Sequence, residues 1–118
     1  MDELHNRILL VEDDPDVRPL LEHALLSAGF RVHMAISFVE ALDLLDARVY
    51  DLVLTDVMLP DGNGIKIADA AKARDIKSLV ITAYAFQIPK EQLAQHEVLL
   101  KPVRPREVVS AVERRLGA

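Results

Sequence analysis

The sequence predicts an α/β fold, a parallel sheet with helices packed on both faces. Three observations lead there. Five short, mainly apolar runs recur along the chain, each the length of a strand, and the first, Ile8–Val11, is apolar throughout, as strands covered on both faces are. Between them lie segments whose apolar residues fall at helical spacing. The polar residues able to do chemistry cluster at the ends of the runs, and in open parallel sheets functional groups gather beyond the carboxyl ends of the strands.

The first run is Arg7-Ile8-Leu9-Leu10-Val11, ending in Glu12-Asp13-Asp14. A helix is expected to follow, with Asp14 as N-cap and Pro15 at its first position. Its stripe is Val17, Leu20, Leu21, Ala24 and Leu25, Gly29 stops it, and Pro19 distorts its first turn. Arg31–Ala35 is the second strand. Ser37 and Glu40 form a capping box for a helix that buries Phe38, Ala41, Leu42 and Leu45. Asp51–Thr55 is the third strand and stops at Asp56. Pro60–Gly64 is loop by composition, and Ile65–Asp75 is an Ala-rich helix. Ser78–Thr82 is the fourth strand, and Pro89–Gln95 a short helix. Glu97–Lys101 is the fifth strand. Arg104–Leu116 closes the chain, with Val108, Val109, Val112 and Leu116 facing inward. No linker or repeat interrupts this order, so residues 1–118 are expected to form one domain.

Composition narrows the function classes. Lys plus Arg is 14 and Asp plus Glu is 19, a formal net charge of 14 − 19 = −5. Such a balance gives no broad attraction to nucleic acid or anionic membranes. The chain has no cysteine, which excludes disulfides, thiolate metal sites and a cysteine nucleophile. Met1–Arg7 is polar and lacks the apolar stretch of a signal peptide, and runs such as Ile8–Val11 are far too short to cross a membrane. A soluble, cytoplasmic protein is expected.

The strand ends deliver three carboxylates (Glu12, Asp13 and Asp56), the hydroxyl of Thr82 and the ammonium of Lys101 to one edge; the second strand, ending Ala35-Ile36, brings nothing. Three neighbouring carboxylates repel one another unless they take up protons or hold a cation. Hard oxygen ligands, without imidazole or thiolate, select Mg²⁺ or Mn²⁺ over zinc or copper. A carboxylate attacking phosphorus needs the charge on the phosphoryl oxygens neutralised, and a divalent ion with a lysine does that.

Four stretches, in order and at the matching spacing, carry a resemblance. They are Ile8-Leu9-Leu10-Val11-Glu12-Asp13-Asp14-Pro15, Asp51-Leu52-Val53-Leu54-Thr55-Asp56-Val57-Met58-Leu59-Pro60-Asp61-Gly62, Ile81-Thr82-Ala83 and Leu99-Leu100-Lys101-Pro102. With them the chain resembles the response-regulator receiver family over its whole length. The resemblance implies a flavodoxin-like five-stranded parallel sheet in the order 2-1-3-4-5. It implies that Asp56 accepts a phosphoryl group, that Mg²⁺ is bound by Asp13, Asp56 and the Met58 backbone carbonyl, and that Glu12 acts through metal-bound water. It further implies that Thr82 repositions toward the phosphoryl group, that Lys101 pairs with a phosphoryl oxygen, and that Lys101-Pro102 is cis. Side chains at Met58 and Tyr84 are implied to flank the site and prolong the phosphorylated state. The implied partners are a sensor histidine kinase or a histidine phosphotransfer domain and a downstream protein target, with homodimerisation left open. The expected protein is a stand-alone receiver without an enzymatic output domain, signalling by contact or onward phosphotransfer.

Two features depart from the family's pattern. Val98 stands where receivers usually carry Tyr or Phe in the fifth strand, so the usual aromatic coupling to the hydroxyl is not expected. The stretch from Thr82 to Lys101 is short, with Gln95-His96-Glu97 before the fifth strand, which predicts a short or irregular fourth helix. Other readings compete. Asp14-Pro15-Asp16 matches the paired aspartates of haloacid-dehalogenase-type phosphatases, but the chain is short for such a Mg²⁺-dependent enzyme and its cap. A flavin binder on the same sheet would need a Ser/Thr/Gly-rich loop where this one is acidic. A pseudo-receiver that binds partners without phosphorylation stays open. Glu12-Asp13-Asp14 alone would read as a solvated loop. His5, His23, His33 and His96 show no metal spacing and read as solvated or half-buried. Arg104, Arg106, Arg114 and Arg115 read as a solvated helix face.

Overall fold

A computed structural model describes residues 6–117; Met1–His5, with the expected polar terminus and His5, and Ala118 lie outside the described residues. The main sheet is built from β1 (Arg7–Val11), β2 (Arg31–Ala35), β3 (Leu52–Asp56), β6 (Lys77–Thr82) and β7 (Val98–Leu100). Its order is β2-β1-β3-β6-β7, all parallel, which is the expected 2-1-3-4-5 counted over these five strands.

Alternating side chains of the central strands feed two layers. On one face Ile8, Leu10, Leu52, Leu54, Leu79 and Ile81 pack against α1 (Val17–Ser27) and α5 (Pro105–Leu116). On the other, Leu9, Val11 and Val53 pack against α2 (Phe38–Ala47) and α3 (Gly64–Ala73). This double burial accounts for the unbroken apolar runs. A smaller group, Val57, Ile65, Ala68, Val80 and Ile88, lies beside the short α4 (Lys90–Leu93), and Val98 packs against it. The fourth helix is short, as expected, and is preceded by one 3₁₀ turn at Ala85–Gln87.

Several boundaries differ from expectation for local reasons. Asp14 does not cap α1. Its carboxylate accepts the Asp16 N–H (2.8 Å), closing an Asx turn, and the helix begins at Val17 with no side-chain cap. Pro60–Gly64 is not simply loop, because Met58–Leu59 (β4) and Gly62–Asn63 (β5) pair as a small antiparallel hairpin. Asn63 then caps α3, its side chain accepting the Ile65 N–H at 2.8 Å. Asp51 lies outside β3, where its carboxylate accepts the Arg7 N–H at 2.7 Å. The Ser37–Glu40 capping box forms in modified shape: Ser37 Oγ accepts the Glu40 N–H, while Glu40 accepts from Ile36 rather than from Ser37. Gly29 ends α1 with φ +97°, a conformation that favours glycine, while the Phe30 N–H returns to the Leu25 carbonyl.

Candidate phosphoryl-acceptor site

Glu12, Asp13 and Asp56 meet because β1 and β3 are neighbours in register, with Val11 opposite Thr55. Each offers a carboxylate oxygen within 4.8 Å of the others. Glu12 and Asp56 are buried and Asp13 is half-buried. Lys101, just past β7, bridges two of them: its Nζ donates to Asp56 Oδ2 at 2.9 Å and to Glu12 Oε1 at 3.1 Å. The remaining Asp56 oxygen, Oδ1, accepts the Val57 N–H at 2.7 Å. Lys101 is held by its own backbone, whose N–H donates to the Thr82 carbonyl at 2.9 Å. Thr82 ends β6 fully buried, and its Oγ1 accepts the Tyr84 N–H at 2.9 Å. The Lys101-Pro102 bond is cis, as expected.

The electrostatics follow from this crowding. Burial, and then the negative charge of Asp56, push the Glu12 carboxyl above its ordinary value, against the opposing pull of the Asp14 N–H and of Lys101. Burial alone would lower Lys101. The hydrogen bond and charge of Asp56, reinforced by Glu12, override it and hold the ammonium above its usual range. One lysine therefore leaves the three carboxylates under-neutralised. The donor set is all hard oxygen and sits within one coordination sphere's reach, which fits a divalent cation of the Mg²⁺ class.

The residues expected to flank the site are exposed. Met58 opens β4 with its side chain 55% exposed, and Tyr84 follows β6 at 45%. Val98 opens β7 opposite Val80 and is half-buried, packed against the small apolar group. No orphaned buried side-chain polar atom remains among the described residues.

Four supporting residues were not singled out from sequence. Arg18 Nη1 donates to the carbonyls of Glu12 and Asp13, both at 3.2 Å, and so anchors the acidic turn from α1. Thr55 Oγ1 donates to the Asp56 carbonyl at 2.8 Å. Asp61 reaches across from the hairpin to cap α2, accepting the Phe38 N–H (2.7 Å) and the Val39 N–H (3.0 Å). Gly64 lies directly against the Asp56 backbone. Asp61 and Gly64 stand in the stretch read as loop, where the only signal was their proximity to Asp56 in sequence. Surface residues make specific contacts. His96 is half-buried, one of the two states expected for it, with its Nε2 2.7 Å from Asp69 Oδ1. Arg114 and Arg115 do more than face solvent. Arg114 pairs with Glu97, and Arg115 Nε donates to the Ser78 carbonyl at 3.2 Å.

Residues 8–113 match the family model described as "Response regulator receiver domain". The chain is similar to the response regulator receiver protein CpdR of Brucella abortus, 34% identical over 95% of this chain and 98% of that protein. It is also similar to the transcriptional regulatory protein CpxR of Escherichia coli, 36% identical over 91% of this chain, although it spans only 47% of CpxR's length. Among solved structures it resembles the receiver domain of the sensor histidine kinase PA1611 from Pseudomonas aeruginosa. That likeness has a TM-score of 0.84 and 29% identity, covering 97% of this chain and 99% of that one, and the PA1611 structure has a magnesium ion coordinated in its active site cleft.

Proposed function

Because the chain belongs to the response-regulator receiver family of two-component signalling, we propose that it accepts a phosphoryl group on Asp56 from a phosphohistidine of a sensor kinase or a histidine phosphotransfer domain. The observation that carries this reading is the Asp56 carboxylate, held by Lys101 Nζ and the Val57 N–H inside a cluster of three carboxylates. An oxygen of Asp56 forms the new O–P bond, the donor's N–P bond breaks, and the departing imidazole takes up a proton.

Asp13, Asp56 and the Met58 carbonyl would hold Mg²⁺, with Glu12 acting through water, and the ion when bound would neutralise charge on the phosphoryl oxygens. Lys101 already donates to Asp56 and stays beside the incoming group as a second cation. Thr82 accepts from the Tyr84 N–H and keeps its own hydroxyl proton to donate, so a small turn of the side chain brings a hydrogen bond to a phosphoryl oxygen. Tyr84 and Met58, both exposed, screen the acyl phosphate from attacking water. An apolar groove of about 360 Å³, lined by Val17, Leu21, Ile81, Ala83, Pro102 and Val103 beside Lys101, offers the donor domain a surface. Val98 removes the aromatic coupling usual in the family, so output runs through the Thr82–Lys101 contact and the α4 region. We read residues 1–118 as one receiver domain acting in the cytoplasm. It signals by contact with a protein target or by onward phosphotransfer, as a signalling acceptor and not as a turnover enzyme.

The test is intact mass after incubation with a small-molecule phosphodonor, with and without Mg²⁺, beside Asp56→Asn. One added phosphoryl group in the parent alone, and only with the metal, supports acceptor and ion together. No gain in a folded parent would replace this reading with phosphorylation-independent binding.

A further inference from the structure

At the opposite edge of the sheet the chemistry is reversed. Arg7 and Arg31 are register partners at the first positions of β1 and β2, so their side chains leave the sheet on the same face. His33, two residues along β2, shares that face. Arg48, the C-cap of α2, and Tyr50, in the connection to β3, close over them. These five residues and Ile8 line a cavity of about 140 Å³. Tyr50 is buried, and its hydroxyl lies 2.8 Å from His33 Nδ1 with the two rings edge to face, so the cavity wall is a packed pair and not a loose surface.

The charge here runs against the chain as a whole. A protein of net charge −5 brings three arginines to one small cavity. The ion pairs of the described residues employ Arg74, His96, Lys101 and Arg114, and none of these three. Asp51, next to Tyr50 in sequence, accepts the Arg7 backbone N–H at 2.7 Å and brings one negative charge there, against three guanidinium groups. Burial, and after it the fields of Arg48, Arg7 and Arg31, depress His33 below its ordinary value, so the three guanidinium groups all act on the ring.

Guanidinium forks match phosphate oxygens in bidentate geometry, and three of them exceed what a single carboxylate needs. The volume corresponds to roughly four or five waters, room for a phosphate or diphosphate head with the rest of the ligand outside. A concave pocket on an acidic protein does not suit a nucleic-acid strand, which asks for an extended basic stripe. We infer that Arg7, Arg31, Arg48, His33 and Tyr50 form a binding site for a small phosphate-bearing anion, separate from Asp56.

The test is a ¹H–¹⁵N titration of the full chain with inorganic phosphate and with pyrophosphate, at ionic strength held constant with sodium chloride. Arg31→Ala/Arg48→Ala alters two exposed side chains, and a thermal melt checks its fold. Arg31→Lys/Arg48→Lys keeps the charge and removes the fork. The expected result is saturable shifts at Arg7, Arg31, His33 and Tyr50, with pyrophosphate tighter than phosphate. Affinity should fall at least tenfold in the alanine variant, by less in the lysine variant, and be unchanged in Asp56→Asn. Asp2 and Glu3 precede Arg7 in the sequence, so Asp2→Asn/Glu3→Gln is titrated as well, to remove any competing carboxylate. Non-saturating shifts in both this variant and the parent, shifts spread over all basic residues, or equal affinity in the alanine variant would each overturn the site. Loss of binding in Asp56→Asn would move the anion to the acidic edge and overturn it too. The proposal does not depend on phosphorylation of Asp56, so either reading can fail alone.

Discussion

Gly64→Ala tests whether the acidic site depends on a backbone approach that no side chain permits. Gly64 begins α3, and its N–H donates to the Val57 carbonyl at 2.8 Å. A Cβ placed on it would fall well inside contact distance of the Asp56 carbonyl oxygen. It would also lie 2.8 Å from the Asp56 carbonyl carbon and from Thr55 Oγ1. Restoring an ordinary 3.4 Å contact requires the carbon to move by at least 3.4 − 2.8 = 0.6 Å, and the oxygen by more. The obstacle is the backbone of a buried central strand, so neither partner swings aside. Overpacking of this kind costs about 3 kcal/mol at the upper end of its usual range. Helix preference runs the other way, favouring alanine by up to about 1 kcal/mol. A net loss of about 2 kcal/mol remains, which for a domain of this size lowers Tm by about 6–12 °C. Because the displaced atoms belong to Asp56, phosphorylation by a small-molecule donor should slow as well.

Two other glycines calibrate the result. At Gly62 the nearest atoms a Cβ would meet are Phe38 Cγ, Cδ1 and Cβ, at 2.6–2.9 Å; relief needs the whole half-buried side chain to shift, which still costs less than moving the buried backbone at Gly64. At Gly29 nothing lies within 4 Å and only the positive φ is strained, costing about 1 kcal/mol. Thermal melts of the three alanine variants, with phosphorylation rates for each, supply the ranking. A Gly64→Ala protein that melts with the parent and phosphorylates at its rate would refute the argument.

The remaining predictions concern charge and screening. Lys101→Ala strands two buried carboxylates, so stability in the absence of divalent ions should fall by about 1–3 kcal/mol. Saturating Mg²⁺ should recover part of it; urea denaturation with and without the metal measures both, and an equal loss in the two conditions would contradict the shared-cation role. Tyr84→Ala should shorten the lifetime of the phosphorylated form several-fold, followed as decay of the added mass; an unchanged or longer lifetime means the ring does not screen the site. Asp61→Ala should lower Tm by removing the acceptor for the Phe38 and Val39 N–H groups. Those hydrogen bonds depress the Asp61 pKa in the fold, so its contribution is fully present above the unfolded value near 3.8 and is lost as pH falls through the lower folded one. The Tm difference between parent and variant should therefore be constant at neutral pH and shrink in acid.

The pattern of what could be read from sequence has a physical basis. Strands buried on both faces leave unbroken apolar runs, so β1, β3 and β6 were visible at once, and residues just past their ends fell at the edge where the fold gathers them. Glu12, Asp13, Asp56, Thr82 and Lys101 were legible for that reason. Contacts between distant segments were not. Asp61 caps a helix that starts 23 residues earlier in the chain, and Arg18 reaches back to the carbonyls of an acidic turn. Gly64 matters through an approach to Asp56 that appears only once α3 is folded onto β3. Asp14 misled because an aspartate before proline serves equally as a helix cap and as the acceptor of an Asx turn, and only the backbone decides between them.

Charge balance ties the two halves of the proposed chemistry together. Glu12, Asp13 and Asp56 carry three formal negative charges when ionised and Lys101 returns one, leaving 3 − 1 = 2. Arg18 Nη1 donates to the Glu12 and Asp13 carbonyls, so among the described residues Lys101 is the cation hydrogen-bonded to the carboxylates themselves. A residual of two is the charge of one divalent cation, and burial, with the negative charge of Asp56 after it, raises the pKa of Glu12. Exchanging the single charge of the Asp56 carboxylate for a phosphoryl group of about −2 deepens the deficit again. On the proposed reading the unphosphorylated site therefore already binds the ion, and phosphorylation strengthens that binding. By linkage the ion must favour the phosphorylated state by the same factor. A site neutralised by a second lysine would lose that coupling, which explains in physical terms why a cluster so costly to bury is built from three carboxylates and one ammonium.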